Sequence, residues 1–166
     1  MNITLKPLTE DLLDAARAID RSDISTAFVD DVDTIWGIDC YGKEHGCIGH
    51  TWAVYLDETC VGMLLLGEAI PWETDPPAMR EQPFWRLMGF VIDRRYRGQG
   101  LGGQVLEMAI DQCCREFGVR PVALGCHRDN TRAAAFYERH GFVQTSYMEG
   151  NDFYYLRYPA EENKQL

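Results

Sequence analysis

The 166-residue sequence is short of bases and has no long apolar run, internal repeat or low-complexity tract. Sixteen lysines and arginines against 26 aspartates and glutamates leave a formal charge of −10. That balance argues against a nucleic-acid partner, because phosphate backbones select basic surfaces through counterion release. The densest apolar run, Val61 to Leu66, falls far short of the ~20 residues a membrane helix needs, so no membrane association is expected. The opening residues Met1-Asn2-Ile3-Thr4-Leu5-Lys6 lack the apolar stretch of a secretion signal, and the expected location is the cytoplasm. In that reducing compartment the six cysteines read as free thiols rather than a disulfide framework. Cys40, His45, Cys47 and His50 lie close together, but their spacing matches no usual zinc pattern, and no metal is expected. The absence of a Walker lysine and of kinase signatures argues against nucleotide phosphoryl transfer.

What is present is an ordinary globular composition, 46% hydrophobic and 11% aromatic, in a length that suits one domain over residues 1–166. Charge is divided unevenly. The first 85 residues carry 16 acids and 5 bases, the rest 10 acids and 11 bases, so one half suits a cationic ligand and the other an anionic one.

Residues 2 to 7 alternate as a first strand, and a helix begins after Thr9 on Leu12, Leu13, Ala16 and Ile19. The acidic stretch Asp30 to Asp39 fits no single element. Trp52 to Leu56 and Val61 to Ile70 form a hairpin around Asp57-Glu58, and Phe84 to Ile92 a third strand after the proline-bearing loop Pro71 to Pro83. A helix follows on Leu101, Val105, Leu106, Ala109, Ile110, Cys113 and Phe117, ended by Gly118 and Pro121. Val122 to Cys126 is a buried strand; Asp129 or Asn130 caps a helix reaching His140, which Gly141 terminates. Phe142 to Met148 and Phe153 to Tyr158 close the chain as a hairpin. The expected fold is a mixed α/β (α+β) sheet, largely antiparallel, with one βαβ crossover.

The chemistry belongs at the junction of strand and helix, Ile92 to Gly103. Glycines there let a ligand approach the backbone, and the free N–H groups of the next helix carry partial positive charge, which together make a pyrophosphate cradle. Arg94, Arg95 and Arg97 add charge beside it. Gly98, Gly100 and Gly103 also satisfy the dinucleotide pattern G-x-G-x-x-G, with Arg120 placed for a 2′-phosphate. A dinucleotide fold needs repeated parallel βαβ units, which the chain has no room for.

Two motifs resemble those of the GNAT family of acetyl-CoA-dependent N-acetyltransferases, and the likeness runs from about Trp52 to Tyr158. Arg97-Gly98-Gln99-Gly100-Leu101-Gly102 fits the family's Q/R-x-x-G-x-G/A loop. Asn130-x-x-Ala133-x-x-Phe136-Tyr137-x-x-x-Gly141-Phe142 fits its later N-x-x-A-x-x-F-Y-x-x-x-G-F segment. The resemblance implies a sheet, flanked by helices, whose central strand pair splays so that the pantetheine of acetyl-CoA pairs with Phe90, Val91 and Ile92. It also implies that residues Gly98 to Gly103 grip the diphosphate, that Asn130 binds near the pantetheine arm, and that Tyr137 protonates the departing thiolate. The implied activity is acetyl transfer to a primary amine, by direct attack.

The general base is less legible. Where some family members carry a strand-borne glutamate this sequence has Gly125, which keeps open an acyl-CoA-binding module without turnover. His127 has a suitable unperturbed pKa, and Glu68 on the hairpin, or Glu73 and Glu81 in the acidic loop, could deprotonate an amine through water. The acidic half, with Glu73-Thr74-Asp75, favours a cationic acceptor. Trp36, Trp72 and Trp85 are core or loop anchors before they are pocket walls. The sequence leaves oligomeric state open, a homodimer included.

Overall fold

Alternation along the long strands sets the architecture, and the computed structural model of the chain describes residues 2–160. Seven strands, β1 (Ile3–Pro7), β2 (Gly49–Leu56), β3 (Thr59–Glu68), β4 (Trp85–Ile92), β5 (Val122–His127), β6 (Val143–Glu149) and β7 (Asp152–Arg157), form one sheet. Its order is β1-β2-β3-β4-β5-β7-β6. Every pairing is antiparallel except β4 with β5. The helices are α1 (Leu13–Arg17), α2 (Val32–Glu44), the short α3 (Ala78–Glu81), α4 (Leu101–Phe117) and α5 (Thr131–Arg139). Among the described residues no helix is long and apolar enough to cross a membrane.

Successive side chains of a strand point to opposite faces, so each long strand feeds two cores. Trp52, Val54, Leu64 and Leu66 pack with Leu101, Val105, Leu106, Ala109 and Cys113 of α4. Their neighbours Ala53, Tyr55, Met63 and Leu65 pack instead with Leu13, Ala16, Val32 and Ile35 of α1 and α2. The sheet is therefore covered by helices on both faces.

Most elements lie where the periodicity places them. The helix expected after Thr9 is divided, a 3₁₀ turn at Glu10–Leu12 preceding α1, because Thr9 supplies no side-chain cap. The ambiguous acidic stretch becomes α2. Asp31 caps it by accepting from the Thr34 amide at 2.8 Å, which turns local acidity into a helix start. The closing hairpin forms as expected, with β7 beside β5 and β6 at the sheet edge.

Candidate active site

The parallel pair at the centre of the sheet stays together for only two residues. Trp85 and Arg86 pair with Val122 and Ala123; beyond them β4 and β5 diverge. A glycine bulge on the β3 side of β4 follows the divergence. Met63 pairs with Val91 and Leu65 with Met88, so Leu64 faces both Gly89 and Phe90 in a bulge. Gly89 has φ +62, and a Cβ there would lie 2.5 Å from Ile35 of α2, so no other residue fits. The two facing strand edges then expose backbone groups that do not pair with each other, and buried or half-buried polar backbone needs partners. Phe90, Val91 and Ile92 on one side and residues 124–127 on the other line a cleft of about 1170 Å³.

The strand β4 ends in an ordered turn that aims the loop. Asp93 is fully buried, and its carboxylate accepts from the Asp20 amide, the Arg95 amide and the Arg95 guanidinium at 2.8 to 3.0 Å. These donors, Arg95 foremost, outweigh burial and hold its carboxyl far below the usual range. Gly98 and Gly100 adopt φ +78 and +77, and α4 begins at Gly100 without a side-chain cap. The first amides of a 17-residue helix are thus left free, with the positive end of its dipole. Gly102 and Gly103 continue the bare surface against α5; a Cβ on Gly103 would lie 2.5 Å from the His140 ring. Arg97 donates through Nε to the Ile92 carbonyl and pairs with Asp23, yet its Nη2 is buried without a partner. The cleft is lined by Arg97, Gly98, Gly100, Leu101, Gly102 and Gly103, whereas Gln99 is exposed and does not line it.

From the same side α5 contributes Asn130 and Tyr137 to the cleft wall. Asn130 Oδ1 accepts from the Ala133 amide at 3.3 Å, so its carbonyl caps the helix while its amide nitrogen remains available. Tyr137 packs edge-on against Phe136 and Phe142. Burial pushes its phenol well above the ordinary value, so the hydroxyl keeps its proton.

Leu124 and Cys126 pack with the α4 core, so Gly125 and His127 face the opposite side of the sheet. Across the ladder stand their partners on β7, Tyr154 and Asp152. Arg86 lies on this side, buried against Asp75 with two hydrogen bonds at 3.1 and 3.0 Å and Trp72 stacked over its guanidinium at 3.7 Å. Burial opposes ionisation of Asp75, but Arg86, the Trp72 amide and the Tyr154 hydroxyl together outweigh it and hold the carboxyl low. Burial, with Asp75 alongside, pushes the Tyr154 phenol up to about 12. Two acids behave differently. Burial raises the carboxyls of both Glu149 and Asp152, and each also feels the negative charge of Asp30. Trp72, Asp30, Glu149 and Asp152 all line the cleft.

The expected bases separate once placed. Glu68 sits at the end of β3, accepts from the Ile48 amide at 2.8 Å, and does not line the cleft. Hydrophobic periodicity located its strand but not which end of the sheet opens. Glu73 and Glu81 do not line it either, and Asp75 is neutralised by Arg86; Asp30, Glu149 and Asp152 line the cleft here, with Asp129 beside His127 and Asp23 paired with Arg97 and Arg132. His127 does line it, but Nδ1 accepts from the Asp129 amide at 3.1 Å, so the neutral ring carries its proton on Nε2. It therefore presents a donor. Arg120 stacks on Trp85 at 4.5 Å rather than facing the glycine loop. Trp85 is core, Trp36 packs between α2 and its neighbours, and only Trp72 of the three reaches the cleft. His45 bonds the Tyr41 carbonyl and His50 bonds Glu116.

Asp93, Arg86 and the two β6–β7 acids escape sequence reasoning. Asp93 carries the one usable signal, an acid directly after a strand and before a turn; the others gain meaning only from the ladder.

Comparison with known proteins agrees with this geometry. The acetyltransferase (GNAT) family model matches residues 10–142. The uncharacterized N-acetyltransferase YycN of Bacillus subtilis (strain 168) is 31% identical over 97 residues. That match covers 58% of this chain and 56% of the relative, so the chain spans little more than half the length of that protein. The crystal structure of PaiA N-acetyltransferase from Thermoplasma acidophilum in complex with coenzyme A superposes with a TM-score of 0.65 at 17% identity. It covers 96% of this chain and all of its own. A GNAT family acetyltransferase from Elizabethkingia anophelis with acetyl-CoA bound gives 0.59 at 16% identity, over 95% of this chain and 99% of that one. The fold, the splayed strands, the glycine loop and the family match agree: the chain belongs to the GNAT acetyltransferase family.

Proposed function

We propose that the protein transfers an acetyl group from acetyl-CoA to the primary amine of a cationic acceptor, directly and without a covalent enzyme intermediate. The single observation that carries this reading is the β4/β5 gap that ends on an uncapped, glycine-lined helix start. The residues present suit the cosubstrate. Arg97 has an unpartnered buried Nη2, and Gly98, Gly100, Gly102 and Gly103 leave the α4 amides bare, which is what a diphosphate requires. Phe90, Val91 and Ile92 offer an unpaired strand edge to the amides of pantetheine, and the free amide of Asn130 adds a donor nearby.

Acetyl-CoA supplies an activated thioester carbonyl. The chain's own task is to bring a neutral amine to it and to quench the leaving thiolate. As the C–N bond forms and the C–S bond breaks, Tyr137 donates its hydroxyl proton to sulfur and recovers one from the nitrogen through solvent. A phenol held fully protonated by burial suits a donor that must not ionise beforehand.

The acceptor reading rests on the opposite face of the sheet. Asp30, Glu149 and Asp152 line the cleft there beside Trp72, while Arg86 is neutralised by Asp75. Such a surface attracts a polyamine, an aminoglycoside-like amine, a lysine or a peptide amine. Thiol release from acetyl-CoA across a panel of these amines tests the reading, with calorimetry of coenzyme A and acetyl-CoA in parallel. Saturable binding with amine-dependent thiol release is expected. Absence of binding overturns the reading, and binding without turnover on any amine assigns an acyl-CoA-binding module instead.

A further inference from the structure

The position where some family members place a strand-borne glutamate is Gly125, and the space its side chain would fill is not empty. A Cβ built on Gly125 would come within 3.3 Å of Asp152 Oδ2, and the nearest atoms after it also belong to Asp152. Asp152 stands on β7, opposite His127 in the β5/β7 ladder, so its carboxylate lies across the strand that lacks an acid. The loss of a side chain on one strand is matched by a carboxylate from the next.

Resting on the acetyltransferase reading above, we infer that Asp152 is the general base of this protein, taking the proton from the acceptor ammonium that a strand-borne glutamate would otherwise take. It lines the cleft on the acceptor face, whereas Tyr137 lines it from α5 on the other side, so base and acid flank the gap between β4 and β5. The acceptor R–NH3⁺ gives one proton to Asp152 directly or through one water. The neutral amine then attacks the carbonyl carbon, the C–S bond breaks and the thiolate takes the Tyr137 proton; the new amide nitrogen gives up its second proton, which returns to Tyr137 through solvent, and Asp152 releases its own proton to solvent.

The groups around Asp152 suit the task. Burial and the charge of Asp30, from the segment between α1 and α2, raise its carboxyl, and His127 on β5 counters them when it is protonated. No hydrogen bond to the carboxylate contributes among the described residues, so its lone pairs are uncommitted. Cys126 faces the other way, its thiol pushed up to about 11 by burial and by Asp152, and remains uncharged. Glu149, across the β6–β7 turn, is raised by burial as well, but it is exposed and feels the positive charge of Arg86, which suits it to attract the acceptor. His127 is committed through Nδ1, and Glu68 lies outside the cleft.

Asp152→Asn keeps the shape and removes the proton acceptor. With acetyl-CoA and the fastest amine of the panel, kcat is expected to fall about 10²-fold while the affinity for coenzyme A stays within twofold. Wild-type kcat declines as pH drops through the raised Asp152 pKa, and that acidic limb disappears in Asp152→Asn. Gly125→Glu in the Asp152→Asn background returns a carboxylate from β5 and is expected to recover at least tenfold. The thermal midpoint of Asp152→Asn is expected to be unchanged or higher, since a desolvated charge has gone; a merely structural aspartate would lower it. A kcat within threefold of wild type, or an unaltered acidic limb, overturns the proposal. A ¹³C NMR titration of Asp152 gives an answer even if no amine turns over. A carboxyl titrating at the ordinary value of about 4 overturns it whether or not coenzyme A binds.

Discussion

Replacing Asp75 by alanine strips the partner from a buried cation. Arg86 and Asp75 have side chains only 6% and 3% exposed. Asp75 accepts from Arg86 at 3.1 and 3.0 Å, from the Trp72 amide at 3.0 Å and from the Tyr154 hydroxyl at 2.9 Å. Tyr154 can turn to Thr74, 2.8 Å away, and Arg86 Nη2 keeps the Ile70 carbonyl at 3.0 Å, but Arg86 Nη1 and the Trp72 amide have no such alternative. Removing one member of a buried pair costs about 3 to 5 kcal/mol, because the other charge stays desolvated. At about 4 kcal/mol and a urea dependence of about 2 kcal/mol/M, the unfolding midpoint falls by about 2 M. The thermal midpoint drops by roughly 10 °C. Arg86→Met with Asp75→Leu replaces both charges by apolar groups and returns to within about 1 kcal/mol of wild type. Equilibrium unfolding by urea, followed by circular dichroism, measures all three proteins. A single-variant loss under about 1 kcal/mol, or a double variant whose losses simply add, refutes the claim that the pair is dry and coupled. The sign with pH is fixed as well. The folded Asp75 carboxyl is held low, so its stabilisation is complete above the unfolded value of about 4 and fades as pH falls through the lower folded value. Wild type and Asp75→Ala therefore converge only below about pH 4.

Other outcomes follow from the cleft itself. Tyr137→Phe lowers kcat about 10²-fold with coenzyme A affinity preserved, measured by thiol release and calorimetry; an unchanged kcat removes Tyr137 as the proton donor. Gly103→Ala sets a methyl group 2.5 Å from the His140 ring, which itself leans on Phe136 at 4.6 Å. That displacement weakens coenzyme A binding about tenfold, or ~1.4 kcal/mol, and calorimetry showing wild-type affinity refutes the close approach of α4 and α5. Burial pushes the Cys113 thiol up to about 12, so it resists iodoacetamide at neutral pH until the chain unfolds; native labelling detected by mass spectrometry contradicts its place in the core.

Much of this was legible from local signals. The hairpin of β2 and β3, the amphipathic α4 and the Asn130-capped α5 all follow from periodicity and capping, which depend on residues a few positions apart. The glycine loop was legible for the same reason, since a free helix start needs only bare residues at its beginning. Its neighbours were not. Gln99 sits inside the motif yet turns outward, and Asp93, outside it, aims the loop through bonds to Asp20 and Arg95. The sequence order cannot reveal that Asp20 meets Asp93.

The bases show the same division at the site. Glu68 and His127 are plausible proton acceptors by residue type alone, and the ladder moves one to the wrong end of the sheet and turns the other into a donor. Asp152 has no motif; it matters because β7 lies between β5 and β6 and carries it over Gly125. Side-chain type, spacing and chain-neighbour geometry were enough to determine the family, the fold and the bare glycine start of α4. Which acids face the cleft was decided by strand order and register, long-range pairings that place residues far apart in the chain against each other and that no local pattern encodes.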